Sequence, residues 1–226
     1  MDDKKFNLLD EPWICVMKEN GEVKELSLMD VLLHAHQYRR LAGELPTQDV
    51  AVLRLLLAVL QTVVYRYDTD GNEDELVETE DAYERWKEIW NDGKLPDKPI
   101  QEYLTKWKAR FYLYDSDRPF YQVPKAAIGT ECKAAKLNGE ISESSNKLRL
   151  FSNRAGKEKE FLSNSEAARW LLYLNGYDDT SAKPKEKGLP SPGTGWLGKL
   201  GFIYADGNNL FETLMLNLVL VNISDK

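Results

Sequence analysis

Few side chains in this 226-residue chain stand at the spacings that chemistry demands. Asp115 with Asp117, and Asp178 with Asp179, form carboxylate pairs that could share Mg²⁺, a hard cation that takes oxygen ligands. Aspartates so placed also cap turns by accepting from amides two residues on, and that is the stronger reading. His34 and His36 lie at i and i+2, which diverge on a helix, so a metal pair is not expected. Cys15 and Cys132 are too few and too far apart for a disulfide framework or a zinc site. Gly193-Thr194-Gly195 resembles a phosphate cradle, yet no Gly-Lys-Ser/Thr ending follows and no clear strand precedes it. HExxH and GxSxG motifs are absent, and no cysteine neighbours a plausible base. Catalysis is therefore unsupported, and neither metal nor cofactor is expected.

Charge points elsewhere. The net charge of −7 argues against a phosphate partner, because nucleic-acid binding rests on clustered Lys and Arg. The average hides a division. Residues 68–92 hold eleven acidic side chains against Arg85 and Lys87, a balance of −9, whereas residues 125–159 hold eight basic against four acidic, a balance of +4. Residues 182–201 add Lys183, Lys185, Lys187 and Lys199 against Glu186. The basic charge thus falls in two loop-like stretches, where function concentrates; merely solvated lysines remain the plain alternative.

The elements that must carry these loops are legible from period and punctuation. Residues 46–67 read as a buried helix: twelve of the fifteen residues 50–64 are apolar and cover nearly every direction around the axis, with Arg54 and Gln61 the strongly polar exceptions. Thr47 is the expected N-cap and Asp49 complements the helix dipole. A membrane span needs about 20 apolar residues on end, which this run does not reach. Ahead of it, Trp13, Cys15 and Met17 alternate before Asn20-Gly21, a type I′ hairpin signal, and residues 28–41 carry Val31, Leu32, Ala35 and Tyr38 at helical spacing. Beyond it, Tyr83, Trp86, Ile89 and Trp90 form an apolar helical stripe stopped by Asn91-Asp92-Gly93, and Ile100, Tyr103, Leu104 and Trp107 form another behind Pro99. Two extended pieces follow, around Phe111 and Leu113 and around Phe120 and Gln122. Ser163 to Glu166 is a capping box opening a helix that carries Ala167, Trp170, Leu171 and Leu174 inward and ends at Asn175-Gly176. A last helix, opened by Asn208 or Asn209, buries Leu210, Phe211, Leu214, Met215, Leu218 and Val219. The fold class is α+β: a mixed helical domain with small β-ribbons and long irregular loops around a central buried helix, 47–66. Without a basic start and apolar run at the amino terminus, a cytoplasmic location is expected.

Read as strings, FNLLDEPWI, SLMDVLLHAH, GELPTQDVAVLRLLLAVL, YLTKWKARFYLYD with PFYQV, NSEAARWLL and LFETLMLNLV resemble, in order, the amino-terminal region of the CasA family, the large subunit of the type I-E CRISPR surveillance complex Cascade. The likeness is collinear over almost the whole chain. It implies a large α/β amino-terminal domain, here residues 1–226 and incomplete, with the family's carboxy-terminal helical bundle, lysine finger and duplex-splitting wedge absent. A truncated or proteolysed product is then expected.

The resemblance also implies a role. Family members sit near the 5′ handle of the guide RNA, recognise the protospacer-adjacent motif in double-stranded DNA from the minor groove, and position a helicase-nuclease, without being nucleases. The implied partners are other Cascade subunits, guide RNA, target DNA and that effector. The family's Phe-x-Asn matches Phe151, Ser152 and Asn153, where an aromatic could stack on a base and Asn could pair with base edges or backbone; Phe151 as a core residue is the alternative. The family's glycine-rich minor-groove loop matches Gly193, Thr194 and Gly195, where missing side chains permit close backbone approach; Thr194 departs from the family's denser glycine run. From charge alone, Lys147, Arg149, Arg154 and Lys199 are expected as phosphate partners. A structural adaptor that docks on the guide assembly without reading DNA is the rival expectation.

Overall fold

A computed structural model describes residues 4–124, 133–138, 154–177 and 195–220. Their order is β1 (Lys5–Asn7), β2 (Ile14–Met17), β3 (Val23–Leu26), α1 (Leu28–Leu33), β4 (Arg40–Leu41), α2 (Pro46–Arg66), α3 (Thr79–Asp92), α4 (Asp97–Trp107), β5 (Tyr112–Tyr114), α5 (Ala134–Leu137), α6 (Asn164–Tyr177), α7 (Trp196–Leu200) and α8 (Leu210–Asn217). Two small antiparallel sheets, β1-β5 and β3-β2-β4, flank the helices, so the architecture is α+β as the sequence indicates.

The central helix is α2. Leu56, Leu60 and Val63 are fully buried, and α6, α4 and α8 pack against it. Contrary to the expectation from its apolar run, by length and composition alone it could cross a membrane, but more than half of its most apolar stretch is buried inside the protein. One stripe stays open: Arg54, Ala58 and Gln61 are exposed at the spacing of a helix face. The expected all-round burial therefore fails along a narrow line. Its cap differs too. Leu45 is the N-cap and makes no side-chain bond, Pro46 fills the first turn, and Thr47 lies inside the helix. Two first-turn side chains reach back instead, Asp49 Oδ1 accepting from Gly43 N–H at 2.7 Å and Gln48 Oε1 from Glu44 N–H at 3.2 Å.

The hairpin forms where Asn20-Gly21 signals it, with a different turn. Lys18 N–H donates to Glu22 O at 2.9 Å, leaving a three-residue loop in which Gly21 alone takes positive φ, +83°. Three-residue loops close with a glycine in the left-handed region, whereas a type I′ turn would need Asn20 there as well. The buried phase of β2 is Ile14 and Val16 rather than Cys15 and Met17, while Trp13 is buried ahead of the strand with Nε1–H donating to Leu8 O at 2.9 Å.

Residues 28–41 break up. Ser27 caps α1, which stops at Leu33; a 3₁₀ turn over Ala35–Gln37 follows and β4 begins at Arg40. Val31, Leu32, Ala35 and Tyr38 are buried as expected. In α3, Trp86 and Trp90 stack with ring centroids 5.0 Å apart and Gly93 ends the helix at φ +68°, but Tyr83 is exposed and Ala82, Arg85 and Ile89 form the buried side. Arg85 compensates its burial by donating to Val64 O at 2.9 Å and Asp74 O at 2.8 Å while pairing with the Asp74 carboxylate. In α4, Ile100 and Leu104 are buried and Trp107 is exposed. Of the two extended pieces only Tyr112–Tyr114 is a strand, and it pairs with β1. Phe120 packs on Phe111 at 5.7 Å, and Gln122 Nε2 donates to Leu113 O at 2.8 Å.

Candidate nucleic-acid interface

The capping box at the start of α6 forms as read: Ser163 Oγ accepts from Glu166 N–H at 3.2 Å and Glu166 Oε2 accepts from Ser163 N–H at 2.7 Å. Its inward face is shifted by a residue, to Ala168, Arg169, Trp170 and Leu172, and the helix continues through Gly176 to Tyr177. Two cations organise this end of the molecule. Arg154 bridges Glu44 at 2.8 Å and Glu166 at 2.7 Å, its side chain only 11% exposed. Burial alone would push the Glu166 carboxyl up, but the Ser163 amide and Arg154 outweigh it and hold the carboxyl below its ordinary range. Trp170 Nε1–H donates to the second oxygen of Glu44 at 3.0 Å. Of the four cations expected to meet phosphate, Arg154 is thus turned to two carboxylates of its own chain.

Sequence reading did not single out Arg169. It is 4% exposed, and Nη1 donates at 2.6 Å to both Trp13 O and Glu25 Oε1. Cys15 lies beside this pair, and burial pushes its thiol up to about 11, which leaves it protonated and unreactive. An arginine between Ala168 and Trp170 in an apolar helix is a signal that only helical phase could have exposed.

Gly195 is also held by close packing. A Cβ on Gly195 would fall under 3.0 Å from the Gly176 backbone and 2.8 Å from Asn175 O. Gly195 is therefore needed to seat α7 on the carboxy-terminal turn of α6. Trp196 then stands 69% exposed, and Lys199 is exposed on the same short helix. Between α2, α6 and α7 lies a cleft of about 190 Å³ lined by Arg54, Tyr121, Asn175, Gly176, Trp196 and Leu197 among others. A larger cleft of about 700 Å³ lies over Arg154, Lys157, Phe161 and Arg169, with Glu44, Glu158 and Glu166 in its wall. Downstream, residues 200–204 form an exposed apolar ribbon in which Ile203 is 99% exposed, anchored where Asn217 exchanges side-chain bonds with both Ala205 N–H (2.9 Å) and Ala205 O (2.7 Å).

Phe151, Ser152, Asn153, Gly193, Thr194, Lys147, Arg149 and the Asp178-Asp179 pair lie outside the described residues. The other aspartate pair has a clear job: Asp115 Oδ1 accepts from Asp117 N–H (2.8 Å) and Arg118 N–H (3.0 Å), a turn cap, and those amides hold its carboxyl below the usual range. His34 bonds its own helix at Asp30 O, and among the described residues no group of three or more His, Cys, Asp or Glu could hold a metal ion.

Comparison with known proteins gives a consistent picture. Residues 7–226 match the family described as CRISPR-associated protein Cse1. CRISPR-associated protein CasA/Cse1 of Thermus thermophilus is 32% identical over 216 residues, 96% of this chain and 40% of that protein. The crystal structure of Thermobifida fusca Cse1 is 35% identical and superposes with a TM-score of 0.75, again over 96% of this chain and 40% of the other. A chain of a CRISPR RNA-guided surveillance complex in a pre-nicking state shares the fold, with a TM-score of 0.74 at 21% identity, 99% of this chain and 45% of that one. The chain spans about 40% of the length of the curated relative it matches.

Proposed function

The chain belongs to the CRISPR-associated Cse1 family, also called CasA, and from that premise we propose that it is a non-catalytic nucleic-acid-binding subunit of a type I-E Cascade complex. In this reading residues 1–226 are the incomplete amino-terminal α/β domain of the large subunit, working in the cytoplasm. Its partners are other Cascade subunits, the guide RNA 5′ handle, double-stranded target DNA and a helicase-nuclease. It takes part in recognising the protospacer-adjacent motif and in recruiting that nuclease.

The single observation that carries the reading is the collinear match over residues 7–226, joined to a framework in which α2 and α6 bring the end of the glycine loop to the surface beside exposed Trp196 and Lys199. Close backbone approach to a minor groove, which distinguishes base pairs poorly, would tolerate several motifs rather than one. The test is reconstitution: a guide-loaded Cascade assembly lacking its large subunit is mixed with this chain, and binding to motif-bearing and motif-free duplexes is compared. Motif-dependent tightening supports the reading; failure to associate sinks it.

The adaptor reading has its own observation. The ribbon at Leu200, Phe202, Ile203 and Tyr204 exposes apolar side chains in a row, as a protein-docking surface does, and Arg154 is engaged by carboxylates. Association with the assembly without salt-sensitive binding to RNA or DNA would favour it, because phosphate contacts must release counterions.

A further inference from the structure

We infer that the cleft between α2, α6 and α7 seats one unpaired nucleobase, stacked on Trp196, with Arg54 taking an adjoining phosphate. This rests on the nucleic-acid reading above and goes past it, naming a single-strand site in a part of α2 expected to be scaffold.

Three observations point to a base rather than to an apolar protein side chain. The first is composition of the wall. The cleft over Arg154 contains three glutamates, one by the amino-terminal end of α2 contains Asp49 and Asp206, and an apolar groove beside α3 contains Glu80 and Glu84. The α2-α6-α7 cleft is lined by Arg54 and no carboxylate, so of these four it alone would not repel a phosphodiester. Arg54 is exposed, and no ion pair engages it among the described residues.

The second is the pair of aromatics at the rim. Trp196 is 69% exposed and Tyr121 50% exposed, although each adjoins well-buried partners, Leu197 and Phe120. Tyr121 is held out by a strained backbone, φ +53°, a conformation that a bulky residue adopts only when its surroundings enforce it. Phe120, packed on Phe111, and Asn175 Nδ2, which reaches Tyr121 O at 3.4 Å, supply that constraint. Exposed aromatics beside arginine are the parts from which single-strand platforms are made, because every base has a π-face.

The third is size. At about 190 Å³ the cleft suits one planar ring and not a folded peptide segment. The Asn175 amide nitrogen donates to Leu171 O (2.9 Å) and Tyr121 O, and its Oδ1 accepts no hydrogen bond among the described residues, which leaves an acceptor for a base amino group.

The source of the base, guide RNA or DNA opened at the target, is separated by experiment. Short 5′-labelled single-stranded RNA and DNA oligonucleotides are titrated with the 226-residue chain by fluorescence anisotropy, using wild type, Trp196→Ala, Trp196→Phe and Arg54→Gln. Both positions are exposed, so unchanged melting of the variants is the fold control. Expected are a roughly tenfold or greater loss for Trp196→Ala, the scale of one lost stack, recovery in Trp196→Phe, and a salt slope lower by about one phosphate for Arg54→Gln. Preference for one oligonucleotide identifies the source. If wild type binds both with salt sensitivity and the variants bind equally well, the cleft is refuted while the nucleic-acid reading stands. If wild type binds neither, the cleft is refuted, and the duplex reconstitution described above decides the nucleic-acid reading separately. If Trp196→Ala weakens only association with the Cascade assembly and not with oligonucleotides, the cleft is a protein contact and the inference is overturned.

Discussion

Gly195 lies against Gly176 so closely that no Cβ fits between them: the atom would meet the Gly176 carbonyl and, at 2.8 Å, Asn175 O. Backbone cannot step aside as a side-chain tip can. Gly195→Ala is expected to destabilise the chain by about 1–3 kcal/mol through overpacking, read in urea denaturation. Gly176→Ala meets only the Leu197 Cδ1 methyl, at 2.9 Å, and is expected to cost less, an order that its reversal would contradict. Loss of DNA binding in a Gly195 variant therefore means nothing until its stability is known.

Arg154 makes a second prediction. Replacing it with Ala leaves Glu44 and Glu166 facing one another in a partly covered site, and the expected cost is about 1–2 kcal/mol, below that of a fully buried pair because both carboxylates keep some exposure. Restoring neutrality with Arg154→Ala and Glu44→Gln together should recover part of it. A double-mutant cycle in urea measures the coupling, and strict additivity would disprove it.

The Asp49 carboxyl carries a pH signature. Burial raises it from 3.8 to about 6, against the opposing pull of Gly43 N–H, Arg40 and Arg169. In that window the folded chain holds more protons than the unfolded one, so this group's contribution to stability falls as pH rises from about 4 to about 6 and is constant above. Asp49→Asn keeps an acceptor for Gly43 and loses the titration. Its stability curve, compared with wild type by denaturation at a series of pH values, should lack that decline; parallel curves would rule the assignment out.

Core packing gives a further expectation. Leu56 and Leu60 are fully buried on α2, and either Leu→Ala is expected to cost about 2–5 kcal/mol, whereas Ala58→Ser on the open stripe should fall within about 0.5 kcal/mol of wild type. Equal losses at buried and open positions would mean that α2 is packed otherwise than described.

Much of the scaffold was legible in the sequence because its signals are local. The Ser163/Glu166 box, the Gly93 stop, the Asn209 cap of α8 and the apolar density of α2 each depend on neighbours within about four residues along the chain. What escaped depends on tertiary partners. The phase of β2 was misread because Trp13 is buried before the strand begins, and periodicity cannot see where pairing starts. Tyr83 and Trp107 fit apolar stripes yet face outward, since a stripe says which residues could be buried and not whether a neighbour arrives. The candidate site was least legible. Arg154 counted as a basic loop residue until Glu44, 110 positions away, met it, and the Arg54 cleft joins residues from four separated segments.

Closure of the early and late segments has a kinetic consequence. Arg39 Nη1–H donates to Gly207 O at 2.8 Å across 168 positions, and Leu210 N–H donates to Tyr38 O at 2.8 Å. During synthesis at about 5–20 residues per second, the first forty residues wait on the order of ten seconds for those partners to emerge. Contacts of such long range also close slowly, since chain entropy is lost before they form. For that interval the 3₁₀ turn over Ala35–Gln37, β4 and α2 lack α8, the helix they pack against in the folded chain, so a pause in translation before α8 prolongs the exposure of their apolar side chains.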